Sequence, residues 1–170
     1  AGVEYFKELQ RIAVEESRLG IPMIFGRDVI HGHHTVYPLP LAMASSFNDE
    51  LVKTAYRNIA SEAALDYIHW TFTPMLDLSR DPRWGRCVES PGEDPYLGSR
   101  MAIAMIRGIQ GDNLSDESSI AACAKHYIGY GASEGGRDYH HTDISEPSLH
   151  NFYLPAFNAA VKAGVQTLSL

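Results

Sequence analysis

Several short stretches of this sequence carry side chains whose types and spacing could do chemistry. The first is Arg27-Asp28-Val29-Ile30-His31-Gly32-His33-His34. An ionised Asp28 can accept two hydroxyl hydrogen bonds, the geometry that neighbouring hydroxyls of a sugar ring offer. Capping of the next turn is the competing role for the same residue. The histidines His31, His33 and His34 invite a metal reading, since imidazole is a common ligand. Adjacent His33 and His34 do not easily aim at one ion, and no nearby acidic residue completes a facial triad. No metal is expected, and these histidines are read as shaping the loop through hydrogen bonds.

The most distinctive stretch is Ser79-Arg80-Asp81-Pro82-Arg83-Trp84-Gly85-Arg86-Cys87. Such a segment can fold on itself through arginine–carboxylate forks and arginine–tryptophan stacking, with one guanidinium left for a ligand. Arg86, after flexible Gly85, is the arginine expected to point inward. Glu89, Glu93 and Asp94 are read as structural partners for Arg80 and Arg83. Trp84 offers a face on which a sugar could stack, although a packed structural tryptophan is the preferred reading. Further on, Lys125 and His126 can both reach a pocket of hydroxyls from the end of a strand, as a triple donor and a donor or acceptor. A core histidine bonded to backbone is the alternative. Last, the paired glycines Gly135-Gly136 permit a sharp turn that could swing Arg137 over a pocket. A nominal triad of Ser133, His140 and Asp138 lacks the GxSxG elbow that would support it.

These residues need elements to position them. A helix is expected over Val3 to Arg18, with Phe6, Leu9, Ile12 and Ala13 on one face and Gly20 as its stop. Met23-Ile24-Phe25 is a candidate strand. Asn48 can cap a second helix whose buried stripe is Leu51, Ala55, Ile59 and Ala63. Strands are expected at Ile68 to Leu76, Ile120 to Ala124 and Val165 to Leu170. Helices are expected near Tyr96 to Ile109, closed by Gly111, and from about Pro147 to Lys162, capped by Ser145. Strands alternating with helices imply parallel βαβ units. Two architectures compete, an open doubly wound sheet and a closed barrel. No GxGxxG or Walker pattern follows a strand, and long charged loops follow the first three strands, which favours the barrel. A complete eight-stranded barrel needs about 250 residues. The fold expected is therefore α/β, part of a (β/α)8 TIM-like barrel with about four strands, truncated before closure.

Composition narrows the partners. The 170 residues carry a formal net charge of −7, which argues against a nucleic-acid backbone as ligand. No run of about 18 apolar residues suggests a membrane span. Residues 1–20 are amphipathic and charged, unlike a signal peptide. Cys87 and Cys123 form neither a CxxC pair nor a multi-cysteine metal pattern.

Together these segments resemble glycoside hydrolase family 3, particularly its periplasmic and secreted bacterial β-glucosidases. The resemblance is carried in order by GIPMIFGRDVIHG, TVYPLPLAMASSF, WTFTPMLDLSRDPRWGR, ESPGEDPYLGSRMA, AACAKHYIGYGASEGGRDY and FYLPAFNAAVKAGVQTL, across nearly the whole chain. It implies a partial N-terminal (β/α)8 domain over residues 1–170, without the family's C-terminal α/β sandwich domain. It implies subsite −1 residues Asp28, Arg86, Lys125, His126 and, less firmly, Arg137, with Asp28 on the distal hydroxyls of the ring.

No carboxylate here matches the family's nucleophile Asp or its acid/base Glu, so both are expected beyond Leu170. A retaining mechanism needs the two about 5–5.5 Å apart. The expected partners are a β-glucoside or oligosaccharide substrate and the rest of the same polypeptide. Neither a cofactor nor a metal is expected, and the resemblance implies a periplasmic or secreted location. The family's N-acetylglucosaminidase branch resembles KHFPGHG, whereas this chain has KHYIGYG with Tyr130 where that histidine would stand, which disfavours an amino sugar. Other open readings are a non-catalytic sugar-binding protein, a β-xylosidase and a β-glucoside phosphorylase.

Overall fold

The computed structural model describes residues 2–170; Ala1 lies outside them. Helix α1 (Val3–Arg11) runs into a π turn at Ile12–Glu16, so the first helical segment stops short of Arg18. Its Phe6 packs edge-on against Phe25, ring centroids 4.8 Å apart, while Ile12 faces solvent. Strand β1 is Gly26–Arg27, just after the apolar run expected to form it. Met23 and Ile24 are exposed, because pairing is set by backbone rather than by apolarity. The Phe25 carbonyl accepts from the amides of His69 and Trp70, and the ladder begins there.

A short helix α2 (Pro40–Ala44) precedes α3 (Asp49–Leu65). Asn48 caps α3 as expected, its side-chain oxygen accepting from the Leu51 amide at 3.0 Å. The buried stripe is Val52, Tyr56, Ile59, Ala60 and Ala63, with Leu51 exposed. The expected stripe was one residue off at its start, because tertiary packing and not the local pattern chose the phase. Strand β2 is Trp70–Thr71 and β3 is Cys123–Ala124. Between them lies α4 (Pro95–Gln110), capped by Asp94 and closed by Gly111 in a left-handed conformation. A helical stretch of α5 (Glu146–Ser148), a π turn at Leu149–Tyr153 and α6 (Leu154–Lys162) leads to β4 (Thr167–Leu168).

All strand pairing is parallel. Gly26 lies opposite Trp70 and Arg27 opposite Thr71, while Cys123 lies opposite Thr167 and Ala124 opposite Leu168. Trp70 also bridges Ala121, and Met75 bridges Lys125. Spatial order therefore follows chain order, β1-β2-β3-β4, without the reversal that marks the switch point of a doubly wound sheet. Gln110 fastens this arrangement from the end of α4. Its side chain donates to the Gly164 carbonyl at 2.9 Å and accepts from the amides of Ala122 and Gln166.

Helices α3 and α4 cover the strands and share one core with α6, including Tyr56, Ile59, Met101, Ile106, Ile109 and Phe157. The close approach of α3 and α4 depends on Gly108. A Cβ there would stand 2.5 Å from the Lys53 carbonyl and 2.8 Å from Tyr56 Cβ. Alanine favours a helix by about 1 kcal/mol over glycine, but overpacking costs about 1–3 kcal/mol. Gly108→Ala is thus expected to destabilise the protein, seen as a lower denaturant midpoint at an unchanged slope; a higher midpoint would show that the helices can part freely.

Candidate functional site

Asp28 lies one residue past β1, where the chain leaves the sheet. It does not cap the next turn. Its Oδ1 accepts from Thr73 Oγ1 at 3.1 Å, and its Oδ2 accepts from Lys125 Nζ at 2.6 Å. These partners come from the segments following β2 and β3, so one carboxylate joins three strand ends. The Lys125 side chain is only 6% exposed and that of Asp28 is 44% exposed. Lys125 is therefore held by the protein, while the open side of Asp28 keeps lone pairs for a ligand.

His126, the next residue, belongs to a second polar chain. Its amide donates to Asp77 Oδ2 at 3.0 Å, and its Nδ1 lies 2.8 Å from the same oxygen. Asp77 is fully buried and ionised carboxylates only accept, which puts the ring proton on Nδ1. Nε2 is left as a lone pair, 3.5 Å from the Arg86 guanidinium. Such an imidazole accepts a hydroxyl hydrogen where Lys125 would donate one. Arg86 forms a two-point fork with Glu89, both bonds 2.7 Å, and turns its remaining nitrogen, Nη1, toward His126. Its guanidinium also lies over the Tyr130 ring, 5.5 Å from the centroid.

Tyr130 packs edge-on against His126 and Trp84, at 4.9 and 5.0 Å. Trp84 is buried and donates to Asp138 Oδ1 at 3.1 Å, so it is a packed structural residue and not a stacking platform. A cavity of about 420 Å³ opens over Arg86, His126, Tyr130, Tyr139 and His140. A larger cleft of about 760 Å³ lies along α6; no carboxylate lines either of the two, and Asp28 and Lys125 stand outside both linings. The smaller of the two is the one lined by Arg86 and His126.

Four of the five expected site residues are brought together as two contacting pairs, Asp28 with Lys125 and Arg86 with His126. Arg137 is not. Gly135 and Gly136 make the expected turn, both with left-handed φ, but Arg137 is exposed and its Nε donates to the Glu134 carbonyl of its own loop at 3.4 Å. The expected pairing of the arginine loop is corrected in three places. Arg83 forks onto Asp81, Arg80 lies over the Phe152 ring, and Glu89 belongs to Arg86. Asp94 caps α4.

The sequence reading missed Thr73 and Asp77, the residues that hold Asp28 and His126. Asp77 ends the β2 segment as Lys125 ends that of β3, and that equivalence was the available signal. The metal reading also changes. Both His33 Nε2 and His34 Nε2 meet Asp66 Oδ2, at 2.8 and 2.6 Å, so adjacent histidines do converge on one point, and the acidic residue is the one that ends α3.

With hydroxyl donors and acceptors gathered where parallel strands end, the molecule falls in the class of α/β proteins that hold ligands at the carboxyl ends of their strands. The family follows from the sequence. Residues 2–169 match the Glycosyl hydrolase family 3 N terminal domain, and the chain belongs to that family.

It is 45% identical over 158 residues to a periplasmic β-glucosidase of Salmonella typhimurium, covering 93% of this chain and 21% of that protein. It is 40% identical over 175 residues to a β-xylosidase of Formosa agariphila, covering 95% of this chain and 24% of that protein. The crystal structure of a β-glucosidase from Listeria innocua in complex with glucose superposes with a TM-score of 0.94 at 45% identity. That match covers 98% of this chain and 24% of the other. The chain thus spans about a quarter or less of the length of these relatives.

The Arg86–Glu89 fork has a pH signature. Hydrogen bonds from Arg86, and the nearby charges of Arg86 and Lys125, hold the Glu89 carboxyl below its usual range against the opposing effect of burial. A lowered folded-state pKa gives stability that is complete above the unfolded value of about 4.3 and fades as pH falls through the folded value. Glu89→Gln should therefore cost more stability at pH 6 than at pH 3, measured by urea unfolding at both; an equal cost at the two would mean the fork is too solvated to matter.

Proposed function

We propose that this chain forms the sugar-gripping part of a β-glucosidase that removes terminal non-reducing β-D-glucosyl residues from β-glucosides and cello-oligosaccharides. The observation that carries this reading is the Asp28 carboxylate, fixed by Lys125 and Thr73 at the strand ends and still open on one side. His126 Nε2 and Arg86 Nη1 meet at 3.5 Å, a long contact that a sugar would replace with an acceptor and a donor for further ring hydroxyls. In this reading Asp28, Arg86, Lys125 and His126 line subsite −1, and Arg137 reaches it only if its loop closes over a bound sugar.

The carboxylates that hydrogen-bond Lys125, His126 and Arg86 are already engaged. Asp28 holds Lys125, Asp77 is buried beneath His126, and Glu89 is forked onto Arg86. None is free to attack an anomeric carbon or to protonate a leaving group. Accordingly the nucleophile Asp and acid/base Glu of a retaining double displacement are assigned to polypeptide outside residues 1–170. The strand order supports placing β1 to β4 as consecutive members of a (β/α)8 barrel, with a C-terminal α/β sandwich domain elsewhere in the polypeptide. A periplasmic or secreted location is supported by the periplasmic Salmonella relative. No helix among the described residues is long and apolar enough to cross a membrane.

The second reading, a β-xylosidase, is favoured by the Formosa relative. Asp28 separates the two if it grips the exocyclic hydroxymethyl group that xylose lacks. In the full-length protein, Asp28→Asn should lower kcat/KM on an aryl β-glucoside about 100-fold or more, since hydrogen bonds to a charged group contribute about 1.5–3 kcal/mol each. The loss on an aryl β-xyloside should be smaller. Equal losses on both, with the xyloside the better wild-type substrate, would transfer the assignment to xylosidase. Failure of the wild-type protein to cleave either would point to a non-catalytic sugar-binding protein.

A further inference from the structure

A polar cluster outside the sugar site is left unexplained by that function. The loop after β1 folds back on itself, with Gly32 bridging Val36 and the Tyr37 amide donating to the His31 carbonyl at 2.8 Å. His31 Nδ1 lies 3.0 Å from the Tyr37 carbonyl, and His33, His34 and Thr35 form the tip. Glu62 of α3 pins that tip. Its carboxylate accepts from the His34 amide at 3.1 Å, the Thr35 amide at 2.8 Å and the Thr35 hydroxyl at 2.5 Å. Just past the end of α3, its capping residue Asp66 receives both imidazoles on a single oxygen, Oδ2.

The two rings, 4.5 Å apart at 60°, therefore aim at one point from two sides. One ligand atom from each of His33, His34 and Asp66 lies within 4.8 Å of the others. The His33 side chain is 1% exposed and its Nδ1 is buried without a hydrogen-bond partner. His34, by contrast, is 68% exposed, so the cluster opens to solvent on that side. Among the described residues neither Glu62 nor Asp66 has a lysine or arginine partner, and the two carboxylates leave this spot negative.

We propose that His33, His34 and Asp66 form a binding site for a divalent transition-metal ion of the Zn²⁺ type. Two neutral imidazoles and one carboxylate, with water in the open fourth position, are a donor set for Zn²⁺ in tetrahedral geometry. Calcium and magnesium prefer all-oxygen shells and do not suit it. Binding exchanges the hydrogen bonds between each Nε2 and Asp66 Oδ2 for bonds to the cation, with loss of the bridging protons. Bound metal would tie the loop that follows Asp28 to the end of α3, a structural clamp remote from the reaction itself.

The test is Zn²⁺ titration of the chelator-stripped, full-length protein against a chromophoric competitor, comparing wild type with His34→Gln and Asp66→Asn. His34 is mostly exposed, so its variant should fold even if Asp66→Asn does not. The wild type should bind one more equivalent of Zn²⁺ than either variant, or bind that equivalent at least about tenfold more tightly, since loss of even an outer partner costs 10–100-fold. Zn²⁺ should raise the unfolding midpoint of the wild type and leave that of His34→Gln unmoved, with no competition from Mg²⁺ or Ca²⁺. Identical Zn²⁺ binding by wild type and His34→Gln would overturn the proposal. So would loss of the equivalent on replacing the exposed pair His140 and His141 instead.

Discussion

The charge of Lys125 has to be neutralised where the strands end, and much of the site follows from that requirement. An ammonium group almost removed from water is costly unless a carboxylate and good geometry compensate it. Asp28 provides both from 97 positions earlier in the chain. The bond can form only if β1 and β3 finish at the same level on either side of β2, which the registers of Gly26 with Trp70 and of Met75 with Lys125 arrange. Strand pairing, crossover helices and the helix contact at Gly108 are therefore all conditions for one ion pair. In turn the pair leaves a carboxylate half-open to solvent at a fixed place, and a ligand hydroxyl needs that.

A second polar chain runs beside the first and is built on a similar rule. Buried Asp77 fixes the orientation and proton position of His126, and Glu89 fixes Arg86 so that one nitrogen faces the histidine. Tyr130 packs against both and keeps the arrangement from collapsing onto Trp84. The carboxylates that touch these residues are thus occupied in holding them. In the proposed function, a surface built this way binds hydroxyl groups and leaves the breaking of a glycosidic bond to other groups. That division of labour agrees with a chain that spans a quarter or less of its relatives.

Much of the fold was legible in the sequence. Asn48, Asp94 and Ser145 cap helices as their types require, and Gly111 ends α4. The alternation of strand and helix gave a parallel sheet. Strand boundaries were less legible, because a strand of two residues is set by where a neighbour's amides point and not by its own apolarity. The displaced β1 and the exposed Ile24 illustrate this.

The individual chemistry-bearing residues were also visible: Asp28, Arg86, Lys125 and His126 stand out because polar side chains at strand ends have few structural excuses. By itself, then, the sequence determined the family, the alternating architecture and which four polar side chains stand at the strand ends and in the arginine loop. Tertiary structure alone decided who partners whom. It gave Lys125 to Asp28, Asp77 to His126 and Glu89 to Arg86, left Arg137 facing solvent, and carried Asp66 to His33 and His34. The physical reason is that most of these contacts join residues some 30 to 100 positions apart. Hydrogen bonds and ion pairs act over about 3 Å, and only the folded path of the backbone decides which distant groups come within that reach.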